Sequence, residues 1–132
     1  MPPDTPTSPP SFEDRRAYYR VNVVLPISIQ AETDTTEGEL IEKSVNISGG
    51  GIGVTVNVLY NPNEVLSLTL LLPDQVIFKA YVEVLRLEPI TYHVHTYRLH
   101  TRFIRMTTQN RELLIRYIMR FQRAHLERHY SA

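Results

Sequence analysis

Residues 65–84 read VLSLTLLLPDQVIFKAYVEV, and their period decides the fold. Leu66, Leu68, Leu70 and Leu72 alternate with smaller or polar residues, Pro73-Asp74 breaks the run, and Val76, Phe78, Ala80, Val82 and Val84 then alternate again. A period of two puts one face of each segment in a core and the other in solvent, so this is a pair of strands joined by a turn. The same pattern extends in both directions. Upstream, Val21, Val23, Leu25, Ile27 and Ile29 share a face between Arg20 and Gln30, with Pro26 suggesting an edge or a bulge. A polar turn at 31–38 leads to a second strand at 39–47, and Gly49-Gly50-Gly51 to a third from Ile52 to Val58. Tyr60-Asn61-Pro62-Asn63 is a further turn. Downstream, a break at Glu88-Pro89 precedes a sixth strand from about Tyr92 to Ile104.

The period then changes. Leu114, Tyr117, Ile118, Phe121 and Ala124 recur at helical spacing, with Thr107 and Thr108 as candidate N-caps and Arg111, Arg116, Arg120 and Arg123 on the opposite face. The expectation is a mainly β protein, a six-stranded antiparallel sandwich or small barrel (about 19–105) with one C-terminal helix (about 109–128) covering part of it. Five prolines within residues 1–11 cannot build a core, so a flexible tail over 1–12 is expected, with order beginning near Phe12 or Glu13 and a single domain over 13–132.

Composition removes several classes of function. The 132 residues suit one domain. With no Cys, neither disulfides nor thiolate chemistry is available. No apolar stretch approaches the ~20 residues of a membrane-spanning helix, and the N-terminus lacks the basic start and apolar core of a signal peptide. A cytoplasmic location is the expectation. The formal net charge of zero hides an asymmetry: residues 1–88 hold 6 Lys+Arg against 12 Asp+Glu, and residues 89–132 hold 8 against 2. Twelve of the 14 basic residues are Arg, which suits planar, bidentate or stacked recognition of an anionic or aromatic ligand. An Arg-favouring genome explains the same ratio.

Two clusters remain: Arg15-Arg16-Ala17-Tyr18-Tyr19-Arg20 before the first strand, and Asn46-Ile47-Ser48-Gly49-Gly50-Gly51 after the second. Taken singly, the first reads as a solvated strand start and the second as a hairpin turn. Together, Arg16-x-x-x-Arg20 and Asn46-x-Ser48-x-x-Gly51, in this order on an alternating-strand pattern, resemble the paired signature of the PilZ domain family. The resemblance covers roughly residues 13–125 and includes the late aromatic Phe103 and the C-terminal helix. It implies a six-stranded β-barrel that binds the bacterial second messenger cyclic di-GMP, with Arg15, Arg16, Arg20, Asn46, Ser48, Gly50 and Gly51 lining the site. It further implies a non-enzymatic receptor that changes conformation to regulate a downstream protein of motility, exopolysaccharide or adhesion systems. In the family, an arginine at the place of Arg15 is associated with two intercalated ligand molecules per chain, which is the expected stoichiometry here.

The residue chemistry agrees with that ligand. A guanidinium forks onto guanine O6 and N7, lies flat on a purine face or pairs with phosphate. Arg16 and Arg20 on an extended segment point the same way about 13 Å apart, a span for a flat dinucleotide rather than a single ion. Asn46 and Ser48, two apart, are expected on one side, offering an amide and a hydroxyl, and the glycines let backbone N–H groups approach a base or phosphate.

Three other readings are weighed against this one. A PilZ-like adaptor that binds protein without nucleotide is the alternative function, although members of that kind lack the arginine and serine signatures kept here. A single-stranded nucleic-acid binder needs a broad basic groove, which the acidic or neutral strands two to five do not offer, so no nucleic-acid partner is expected. His93 and His95 would share a strand face as metal ligands can, and His125 and His129 are four apart on the helix, but no metal is expected at either place. No catalytic constellation is suggested by spacing. Leu113, Ile115 and Met119 fall off the main helical stripe and suggest a homodimer or partner face.

Overall fold

The computed structural model describes residues 20–36 and 38–130. Arg15, Arg16 and the Pro-rich stretch lie outside the described residues. Six strands form where the alternation lies: β1 (Val21–Ala31), β2 (Ile41–Ile47), β3 (Ile52–Val56), β4 (Val65–Leu72), β5 (Val76–Pro89) and β6 (Tyr97–Arg105). One helix, α1 (Thr108–Tyr130), follows them. Every strand pairing is antiparallel, and the sheet closes on itself in the order β1-β2-β3-β6-β5-β4. Closure leaves no long unpaired edge to template aggregation.

Alternation fills the barrel as its period demands. Leu66, Leu68, Leu70 and Leu72 of β4 and Phe78, Ala80, Val82 and Val84 of β5 are buried together with Val45, Ile47, Ile52, Val54 and Leu99. Phe78 meets the half-buried Phe103 edge-on, ring centroids 5.8 Å apart, the favoured geometry for aromatic quadrupoles. Helix α1 lies against β5 and β1 and inserts Leu114 and Ile118 into the core, with Tyr117 and Phe121 packed beside them. Thr107 is its N-cap: its Oγ1 accepts from the Asn110 N–H at 3.0 Å and from Asn110 Nδ2 at 2.8 Å. Asn110 Oδ1 in turn accepts from the Lys79 N–H of β5 at 2.9 Å, which fixes the helix start against the barrel.

Three departures from the alternation have physical causes. Pro26 sits inside a closed barrel, yet β1 meets β4 only from Ile27 onward, so Pro26 lies where its strand has no partner on that side and its missing N–H costs nothing. The sixth strand begins at Tyr97, not Tyr92. The segment before it is a turn, closed by Ile90 N–H to Thr96 O at 3.0 Å and His93 N–H to Ile90 O at 3.2 Å, with His95 at φ 57°. His93 and His95 therefore do not share a strand face, and Tyr92 and Val94 are 90% and 82% exposed. Finally, β5 carries a bulge. Val84 pairs with Thr101 and Arg86 with His100, so Leu85 is skipped and the residues after it change face.

Candidate functional site

The outer surface of β1, β2, β3, β6 and β5 presents a row set by register alone. Asn22 pairs with Asn46, Asn46 with Gly53, Gly53 with His100, and His100 with Arg86. Arg20, one residue before β1, reaches across to this row: its Nη1 donates to Asn46 Oδ1 at 3.1 Å. A guanidinium can only donate, so the atom facing it is the amide oxygen. That leaves Asn46 Nδ2 to donate to Asn22 Oδ1 at 2.8 Å. Two sequence-predicted residues, Arg20 and Asn46, are thus joined directly across 26 positions of chain. The Asn46 oxygen keeps a second lone pair for an incoming N–H donor.

Ser48 and the glycines hold the edge of this surface in a different way from that expected. Ser48 lies beyond the end of β2, where the pleat no longer sets its direction, and is only 4% exposed. Its Oγ accepts from the N–H groups of Gly50 and Gly51, both at 3.2 Å, while Ser48 N–H donates to Gly51 O at 3.0 Å. Gly50 is exposed and its carbonyl accepts from Phe103 N–H at 2.9 Å, tying the turn to β6. Gly51 is buried, and a Cβ there would lie 2.0 Å from the Thr101 carbonyl oxygen. Its missing side chain is required by the β6 backbone. Among the described residues no glycine has positive φ, so the run is not the mirror-image hairpin that three glycines suggest.

Residues that the sequence did not single out join the same face. Arg98 of β6 lies along Gly53: a Cβ at Gly53 would be 3.5 Å from Arg98 Nη2 and 3.7 Å from Asn46 Cβ. Arg98 Nη1 donates to Thr55 Oγ1 at 3.1 Å, and burial holds its guanidinium below the ordinary arginine value. His100 Nε2 lies 2.6 Å from Glu88 Oε1, and this hydrogen bond lowers the Glu88 carboxyl below its usual range, with Arg86 at 3.7 Å adding to the effect. Counting antiparallel register outward from Asn46 would have found Gly53 and His100. The lie of Arg98 has no sequence signal.

A separate groove of about 820 Å³ runs over the outer face of β1, β4 and β5 to the start of α1, past Ser28, Thr69, Lys79, Tyr81 and Asn110, and includes none of the predicted residues. The Arg20–Asn46 surface is open, as suits a broad flat ligand more than a small enclosed one. Among the described residues no group of three or more His, Asp or Glu side chains could hold a metal, and no helix is long and apolar enough to cross a membrane.

The family model described as PilZ domain matches residues 14–120. No curated protein matches the sequence. Solved structures share the fold. The Bacillus subtilis inhibitor of motility MotI is 24% identical with a TM-score of 0.65, over 82% of this chain and 51% of that one. This chain therefore spans about half of that protein. The cyclic di-GMP-bound PilZ domain of YcgR from Escherichia coli is 16% identical with a TM-score of 0.62, over 89% of this chain and 99% of that one. A tetrameric PilZ domain from Xanthomonas campestris, assembled through a helical bundle, is 14% identical with a TM-score of 0.67, over 86% and 95%.

Proposed function

Because the chain belongs to the PilZ domain family, we propose that it is a cytoplasmic, non-enzymatic receptor for cyclic di-GMP that passes ligand occupancy to a downstream protein. The observation that carries this reading is the Arg20–Asn46–Asn22 chain of hydrogen bonds on an open face beside the glycine turn. In it, a guanidinium and an amide oxygen are already oriented outward of the barrel core. Arg20 would fork onto a guanine edge or a phosphate, and Asn46 Oδ1 would accept a guanine N–H. Ser48, Gly50 and Gly51 would act by keeping the shape of the turn. Arg16, at the first position of the signature, would close the site from the preceding segment.

Residues 13–132 would form the receptor domain, with 1–12 as a tail. Ordering of the Arg15–Arg20 segment around the ligand is the conformational change we propose, and motility, exopolysaccharide or adhesion systems are the settings in which its partner would lie. Leu113, Ile115 and Met119 keep part of their surface accessible on α1, which supports self-association, measurable by light scattering.

Isothermal titration with cyclic di-GMP tests the proposal. Arg20→Ala should cost roughly 1–3 kcal/mol, about 5- to 150-fold in affinity, with an unchanged melting temperature. Two ligands per chain are expected, because Arg15 would offset the charge of a second stacked dinucleotide. Arg15→Leu should then move the ratio toward one. Absence of binding to the unmodified chain would refute the receptor reading, and a ratio of one in both proteins would refute the role of Arg15.

A further inference from the structure

Arg98 is placed unlike an ordinary exposed strand arginine. It points outward from β6, since its neighbour Leu99 is fully buried, yet its guanidinium lies down along the strand beside Gly53 and is partly desolvated. Desolvating a cation is unfavourable unless an anion or an aromatic face compensates. Among the described residues no carboxylate does so. Glu88, which faces Arg98 across the β5–β6 ladder, is turned toward His100 and Arg86. Thr55 Oγ1 supplies one neutral acceptor and fixes the plane. The point above Gly53 is flanked on one side by Asn46 and on the other by Arg98, so Arg98 shares the surface already assigned to the ligand.

We propose that Arg98 is a ligand-contacting residue of this site, its guanidinium plane forming the stacking surface for one guanine of cyclic di-GMP. The proposal rests on the receptor reading above. A planar guanidinium stacks on an aromatic ring as well as pairing with charge, whereas an ammonium supplies only the charge. Gly53 leaves the room that the guanidinium occupies: a Cβ there would already stand 3.5 Å from Arg98 Nη2 and 3.7 Å from its Nε, so a branched side chain would intrude where Arg98 now lies. The arrangement favours a ligand that brings both a flat purine and a phosphate, and Arg86 and His100 extend the same polar wall on the far side.

The test is titration of cyclic di-GMP into the unmodified protein, Arg98→Ala, Arg98→Lys, Thr55→Val and Arg20→Ala, with melting temperatures measured in parallel. Arg98→Ala should weaken binding about five- to thirty-fold, and Arg98→Lys nearly as much, because the plane is lost in both. Thr55→Val, which keeps the residue's shape and releases the guanidinium, should weaken it about two- to five-fold. Arg98→Lys binding like the unmodified protein would overturn stacking, and Arg98→Ala binding like it would overturn the contact itself. In both cases a loss in Arg20→Ala would leave the receptor reading standing. Failure of the unmodified protein to bind would overturn the receptor reading and this proposal together.

Discussion

Gly51→Ala isolates the role of the glycine run. A methyl group at this position would sit 2.0 Å from the Thr101 carbonyl oxygen and 2.9 Å from both Thr101 C and Arg102 Cα. All three are backbone atoms, so no side chain can rotate away. Relief requires the turn to withdraw from β6 by roughly an ångström or more, a shift that overpacked interiors resist at about 1–3 kcal/mol. The withdrawal would stretch the Phe103 N–H to Gly50 O bond at 2.9 Å and the Thr101 Oγ1 to Ile52 O bond at 2.8 Å, each worth about 0.5–1.5 kcal/mol. A total of about 2–6 kcal/mol follows, or about 6–24 °C in melting temperature for a domain of this size. Thermal denaturation followed by circular dichroism measures it. Gly50→Ala is the internal control: its nearest neighbour would be Ser48 Oγ at 3.9 Å and its φ is not positive, so its stability should stay within about 1 kcal/mol of the unmodified protein. Equal melting of Gly51→Ala and the unmodified chain would refute the packing argument.

Ser48→Ala should lower stability by about 1–3 kcal/mol, because the Gly50 and Gly51 N–H groups lose their acceptor. Any loss of cyclic di-GMP affinity should be smaller than in Arg20→Ala, which chemical denaturation and calorimetry on the same samples would reveal. Thr107→Ala should cost about 1 kcal/mol by removing the cap of α1, with amide exchange rising first at the start of that helix. Burial raises the Tyr117 hydroxyl above its ordinary value of 10.0. Its contribution to stability is therefore fully present below about pH 10 and is lost as pH climbs through the raised folded value. Tyr117→Phe should flatten the alkaline fall in melting temperature, and an unaltered profile would show that Tyr117 does not cause it.

The barrel was legible because period two admits few alternatives: Leu66 to Leu72 and Phe78 to Val84 have one way to be buried, and the structure buries them that way. Fixing the N-cap to Thr107 rather than Thr108 needed the hydroxyl geometry. The expected start of the sixth strand near Tyr92 failed because Tyr92 and Val94 are exposed turn residues with no face to bury. At the candidate site, the sequence brought out Arg20 and Asn46, which meet, and the serine and glycines, which border them. It did not show how Ser48 and Gly51 are held, since the pleat rule stops where the strand does and a steric requirement from a strand 50 residues away has no local mark. Arg98 was unreadable for a related reason: its posture depends on Gly53 and Thr55 of another strand.

The skipped residue in β5 has a consequence for how this barrel can change by insertion and deletion. Upstream of Leu85 the inward positions are even-numbered, Phe78 to Val84, and downstream they are odd, with Leu87 packed on the core. The strand is two half-strands of opposite parity spliced at one residue. Deleting Leu85 would remove the skipped residue and leave Val84 inward, Arg86 outward and Leu87 inward in unbroken alternation, each still opposite its present partner on β6. The splice point is therefore a slack residue: the strand can lose it without turning any side chain to the other face. Deleting Leu85 and Arg86 together would place Leu87 directly after Val84 and turn it out to water, so the two-residue change should be the harmful one.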